Sequence, residues 1–143
     1  MNTNKKSIVI TSAVRTAVGS FNGAFKNIPA HELGSITIKE SLKKSKLKVN
    51  EIDELIMGQV LTANTGQNPA RQAAIKAGLP IEKTAYLINQ VCGSGLRAIS
   101  IGAQHIQLGD AKMVAAGGQE NMSLAPHVAL MRQGQKMGNM TYT

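Results

Sequence analysis

One stretch of the chain gathers residue types that can do covalent chemistry: Asn89-Gln90-Val91-Cys92-Gly93-Ser94-Gly95-Leu96-Arg97-Ala98. It holds the single cysteine. A cysteine acts as a nucleophile through its thiolate, so its surroundings must favour negative charge on sulfur. Ahead of it, residues 84–88 are short, apolar and β-prone, and they follow the Leu79-Pro80 break; this predicts a buried strand. Residues 96–108 read as a helix, with Gly109 as its C-terminal cap. Cys92 therefore falls on a strand-to-helix turn. There the unpaired N–H groups of the first helical turn and the positive end of the helix dipole both favour a thiolate. Gly93 and Gly95 lack Cβ atoms and let a substrate approach the backbone. The competing reading is an inert buried cysteine, a common state for a lone thiol. The turn by itself leaves both open.

The elements around the turn must hold it in place. Leu96, Ala98, Ile99, Ile101, Ala103, Ile106 and Leu108 lie around most of the helix circumference, which predicts a helix buried on all sides. Residues 6–12, with the run Ile8-Val9-Ile10, predict a first strand in a sheet covered on both faces. A glycine-containing loop around Gly19 and Gly23 follows. A helix is expected over 30–45, with Pro29 at its start and Glu32 in its first turn. Asn50 is placed to cap a short turn at 51–53. Residues 55–60 predict a second strand and 62–67 a polar loop. Asn68-Pro69 is a helix start, cap then proline, and Gly78-Leu79-Pro80 a stop. Residues 112–116 predict a fourth strand running into Gly117-Gly118. Beyond Glu120 the pattern dissolves into a segment rich in Met, Gly and Gln. Strands alternating with helices imply an α/β fold: a mostly parallel sheet with helices on both faces.

The totals narrow the class. The chain has 143 residues, 43% of them apolar, enough for one domain with a core. No apolar run approaches the roughly 20 residues of a membrane span, and the basic N-terminus leads into too short an apolar run for a signal peptide. One cysteine permits no internal disulfide, which favours a cytoplasmic setting. The net charge is +8. Much of it is local, at Lys39, Lys43, Lys44, Lys46 and Lys48, where cations suit a helix C-terminus. With no Trp and no nucleic-acid motif, nucleic acid is not an expected partner, and neither is a membrane.

Other chemistries fit less well. Gly93, Gly95 and Ala98 match G-x-G-x-x-A between a strand and a helix, the dinucleotide-binding fingerprint, with Glu120 as its acidic residue. Glu120 lies slightly far for that role, and the motif falls on the third strand-helix unit rather than the first. A serine-hydrolase elbow would need glycine where Cys92 stands. One cysteine and His31, His105 and His127, all scattered, offer no metal-ligand spacing. None of the three histidines can be assigned from sequence as a base for Cys92.

The cysteine block resembles the nucleophile segment of the thiolases, most closely their biosynthetic branch, the acetyl-CoA acetyltransferases. Further blocks agree in order: residues 12–23 (SAVRTAVGSFNG), 66–74 (GQNPARQAA), 116–123 (AGGQENMS) and 132–138 (RQGQKMG). Within the third block, Gln119 and Asn121 depart slightly from the family pattern. The resemblance covers essentially the whole chain. It implies a thiolase-like αβα layered fold, with residues 1–120 as its N-terminal half and 121–143 as the start of a loop region. The C-terminal half, with the family's histidine base, its second cysteine and most coenzyme A contacts, is expected to lie outside this chain.

The mechanism implied by the resemblance is an acyl transfer. Cys92 would attack acetyl-CoA, giving an acetyl-cysteine and free CoA. A second acetyl-CoA would take the acetyl group and form acetoacetyl-CoA. The Cys92 N–H would be one donor of an oxyanion hole. A degradative 3-ketoacyl-CoA thiolase is the near alternative; a dinucleotide-binding domain is the distant one. Met137 is an expected substrate-pocket residue. No cofactor is implied, because the coenzyme A thioester is the substrate. The implied assembly is a homodimer or homotetramer.

Overall fold

Local capping chemistry sets the helices. The computed structural model describes residues 7–129 and 137–138. Helix α1 (Ala30–Ser45) follows Pro29 without a side-chain cap and ends at Lys46, which is left-handed at φ 58°. Helix α2 (Pro69–Ala77) starts as its sequence dictates: the Asn68 side chain accepts the Arg71 N–H at 3.1 Å. It stops at Gly78, whose φ of 96° suits glycine. Asn50 does not cap the short turn between them. The Glu51 carboxylate accepts the Lys48 N–H at 2.6 Å instead, so the turn spans Val49–Glu51.

Three parallel strands form one sheet: β1 (Glu54–Gly58), β2 (Thr84–Ile88) and β3 (Val114–Gly118), in the order β2-β1-β3. The register is level. Glu54 stands beside both Thr84 and Val114, and Gly58 beside both Ile88 and Gly118. Alternation along β1 sends Leu55 and Met57 to one face, where α1 and α2 pack. Ala70, Ala73, Ala74 and Ala77 of α2 are buried there with Ile38, Ile52 and Leu79. Small side chains let α2 lie close to the sheet. Helix α3 (Ser94–Leu108) covers the other face, with Gly102 against Val114 and Ala116. Helices thus cover both faces, the expected α/β layering. Asp53 ties β1 to β3: its Oδ2 accepts the N–H groups of Lys112 at 2.8 Å and Met113 at 3.1 Å. Those bonds, the Lys112 N–H foremost, hold its carboxyl below the usual range, with Lys83 adding to the effect.

Three further expectations fail. Strand β2 is a sheet edge and not a buried strand, with Ala85 alone buried. Residues 7–12 form no strand, and Val9 and Ile10 are 70% and 75% exposed. Apolar residues can favour extended backbone, but a strand exists only with a ladder partner. Both sides of β1 are taken by β2 and β3, and the segment runs beside α1, with the Ser12 and Ser41 hydroxyls 2.9 Å apart. Helix α3 forms where predicted but is not buried all round. Its buried residues are Ser94, Ala98 and Gly102, while Leu96 and Leu108 are each 75% exposed. One face meets the sheet, and the described residues leave its outer face uncovered. Strand ends also shift: β1 closes at Gly58 rather than 60, and β3 opens at Val114 rather than 112. Among the described residues, no helix is long and apolar enough to cross a membrane, and no group of side chains could hold a metal ion.

Candidate active site

Cys92 is exposed on the turn from β2 to α3. The residue before it is strained. Val91 is β-branched yet has φ of 50°, a left-handed conformation that costs roughly 1–2 kcal/mol. Four hydrogen bonds hold it there. The Asn89 Oδ1 accepts the Val91 N–H at 2.9 Å. The Ser94 hydroxyl donates to the Val91 carbonyl at 2.6 Å and accepts the Gln90 N–H at 2.8 Å. The Ser94 N–H donates to the Val91 carbonyl at 3.1 Å. Gly93 is the N-cap of α3, so the sulfur-bearing residue stands just outside the helix N-terminus. The sequence pointed to this turn but not to its strain. Asn two residues before Val91 is the legible signal, because asparagine bonds its own backbone two residues on.

Three glycines seat the helix start. A Cβ on Gly58 would overlap the Ser94 carbonyl carbon and come within 2.5 Å of the Gly95 nitrogen. A Cβ on Gly118 would stand 3.3 Å from the Gly95 Cα. The first turn of α3 therefore rests on the bare backbone of β1 and β3, at the carboxyl ends of the strands. The acid of the dinucleotide fingerprint is engaged: Glu120 accepts the N–H groups of Val60 at 2.8 Å and Leu61 at 3.3 Å. That rival reading loses the free carboxylate it needs.

A cleft of about 550 Å³ opens at this edge. Val60, Leu61, Val91, Cys92, Gly95, Gly118, Gln119, Glu120 and Met122 line it. Beneath, two buried amides meet: the Gln119 Nε2 donates to the Gln59 Oε1 at 2.9 Å, and the Gln59 Nε2 to the Leu61 carbonyl at 2.9 Å. The Gln119 Oε1 faces Gly34 of α1, where a side chain would not fit. Gln119 and Asn121 are thus structural: the Asn121 Nδ2 donates to the carbonyls of Phe25 at 2.8 Å and Ile28 at 2.7 Å, fastening the early loop to the end of β3.

No histidine lines the cleft. His31 borders a separate cavity of about 170 Å³, and burial foremost, then Lys76, pulls its pKa down against Glu32. His105 Nδ1 is 2.6 Å from the Glu54 Oε2, and His127 is exposed. Met137 is 89% exposed and is not among the cleft residues. The block 132–136 lies outside the described residues.

An exposed cysteine on a strained turn, above parallel strand ends and beside a helix N-terminus, marks a candidate site for covalent group transfer in an α/β fold. The profile of the thiolase N-terminal domain matches residues 8–143, and the chain belongs to that family. It is 63% identical over 133 residues to an acetyl-CoA acetyltransferase of Rhizobium meliloti (strain 1021), covering 93% of this chain and 34% of the relative. It is 51% identical over 140 residues to the cytosolic acetyl-CoA acetyltransferase of Rattus norvegicus, covering 98% and 35%. Its fold matches a crystal structure of a thiolase from Ascaris suum in complex with coenzyme A, with a TM-score of 0.83 and 43% identity, over 86% of this chain and 32% of that one. The chain spans about a third of the length of the curated relatives it matches.

Proposed function

We propose that the full-length protein is an acyl-CoA C-acyltransferase that reversibly condenses two acetyl-CoA into acetoacetyl-CoA and CoA. The observation that carries this reading is the exposed Cys92 on its strained turn, facing a cleft, in a chain of the thiolase family. The Cys92 sulfur attacks the thioester carbonyl, the carbon–sulfur bond to CoA breaks, and CoA leaves with a proton. A second acetyl-CoA, deprotonated at its methyl carbon, attacks the acetyl-cysteine and frees Cys92. The Cys92 N–H serves as one oxyanion donor, a contribution of roughly 3 kcal/mol. No histidine is among the described residues that line the cleft, and by resemblance the proton acceptor is a histidine outside this chain.

In this reading the thioester is substrate rather than cofactor, and Met137 borders the acyl group by resemblance alone. Residues 1–120 are one half of the enzyme, and 121–143 open its loop region. The edge strand β2 lies at a dimer interface, alone or within a tetramer. The setting is the cytoplasm, in line with the cytosolic rat relative. The test is brief incubation of the full-length protein with acetyl-CoA. One acetyl group should appear on the peptide carrying Cys92, and none in Cys92→Ala. Equal labelling of that variant would overturn the assignment.

A further inference from the structure

Glu120 has no part in the acyl transfer described above, and its neighbours are specific. Its carboxylate accepts the N–H groups of Val60 and Leu61. Both residues lie beyond the end of β1, so these bonds replace no strand ladder. Both line the same cleft as Cys92. The wall then connects to the nucleophile's own turn. The Val60 carbonyl accepts from the Asn89 Nδ2 at 3.4 Å, and the Asn89 Oδ1 accepts the Val91 N–H at 2.9 Å. One series of hydrogen bonds thus runs from Glu120 through Val60 and Asn89 to the residue before Cys92.

We infer that Glu120 is a positioning residue: its carboxylate fixes the Val60–Leu61 wall relative to the Cys92 turn and so sets how an acyl thioester fits between them. Two backbone N–H groups on one carboxylate make charge-assisted bonds, which are stronger than neutral ones. A neutral side chain without acceptors leaves both N–H groups to water, and the wall is then free to shift. This inference rests on the thiolase reading for its substrate, but the clamp itself can be measured without it.

The experiment compares Glu120→Ala, Glu120→Gln, Asn89→Ala and the Glu120→Ala/Asn89→Ala pair in full-length protein. Amide exchange at Val60 and Leu61 should quicken roughly 10- to 100-fold in Glu120→Ala, the range for losing a bond to a charged group. Exchange at Leu55, Ile56 and Met57 should stay as it was. The acetyl-CoA concentration that half-saturates Cys92 acetylation should rise about tenfold, Glu120→Gln should restore part of both effects, and the double variant should lose less than the sum of the single ones. Quickened exchange across the whole of β1, or unchanged half-saturation beside quickened exchange at Val60, would overturn the inference. Should Glu120→Ala fail to fold, Glu120→Gln carries the same comparison. If the parent protein takes no acetyl group, the thiolase reading fails by itself. The clamp is then judged by exchange and by the rate at which iodoacetamide alkylates Cys92: a change in both supports it, and no change in either overturns it.

Discussion

At Val91 a β-branched residue holds a conformation that usually belongs to glycine, and Cys92 is the next residue along. Strain of this kind persists only where the surroundings over-determine it. Here they do so through Asn89 and Ser94. Val91→Gly removes roughly 1–2 kcal/mol of strain and adds roughly 0.5–1 kcal/mol of backbone entropy to the cost of folding. Its stability should therefore stay within about 1 kcal/mol of the parent, read from a denaturant midpoint. The acetylation rate of Cys92 should nevertheless fall, because the turn is no longer held to one geometry. A faster reaction would mean that the strain opposes rather than supports the nucleophile. Ser94→Ala tests the same point from the other side: it removes one bond to Val91 and one to Gln90 at a buried position, and should cost about 1–3 kcal/mol.

Among the elements, the seat of α3 is the most exacting. Gly58→Ala places a methyl group against backbone that no rotamer change can move aside. The helix start must lift, at a cost of about 1–3 kcal/mol, and Cys92 acetylation should slow more than thermal stability falls. The link between β1 and β3 predicts a pH dependence. Asp53 has its pKa lowered by the Lys112 and Met113 N–H groups and by Lys83. A carboxyl depressed on folding stabilises the fold above its ordinary value of 3.8, and that contribution is lost as pH falls through the lower folded value. Asp53→Asn should therefore unfold more easily than the parent at pH 7, by about 1 kcal/mol given the partial exposure of the site, while the two converge in acid. Parallel denaturation curves at pH 7 and pH 3 check this. These elements also divide what a sequence can reveal. Helix α2 was legible to the residue, since Asn68, Pro69 and Gly78 act within one turn of themselves. The cysteine turn was legible as strand, turn and helix for the same reason. The segment with Ile8, Val9 and Ile10 is not legible in this way because pairing is settled by a distant partner, nor is the outer face of α3, because cover is too. In the sequence Glu120 is visible only as the ill-spaced acid of a weak dinucleotide motif; its partners, Val60 and Leu61, lie past the end of the neighbouring strand and leave no local trace.

On the scale of the whole molecule, apolar surface is the dominant feature. Leu96 and Leu108 on α3, with Ile8, Val9 and Ile10, are exposed, and among the described residues β2 and β3 each present an unpaired edge. Such surfaces drive association. Residues 1–143 expressed alone should sediment as concentration-dependent oligomers, and Leu96→Lys with Leu108→Lys should shift them toward monomer. The same polypeptide should not cleave acetoacetyl-CoA with CoA at a useful rate, because general acid–base help contributes roughly 100- to 10,000-fold per step and the cleft supplies no histidine. Cys92-dependent turnover by a monomer would contradict this, and His127 would then be the first residue to replace.

The level register of the sheet also constrains how the chain can change length over evolution. Each residue of β1 is matched at once to one in β2 and one in β3. An insertion or deletion between Leu55 and Gly58 would slip both ladders together, turning Met57 away from α2 and a different residue toward the backbone of α3. The polar stretch from Thr62 to Gln67 has no such double partner, since it joins no strand. Gaps between homologous chains should therefore gather in that connection and be missing from β1, so that the spacing from Gly58 to Gly118 varies only through the loops between them.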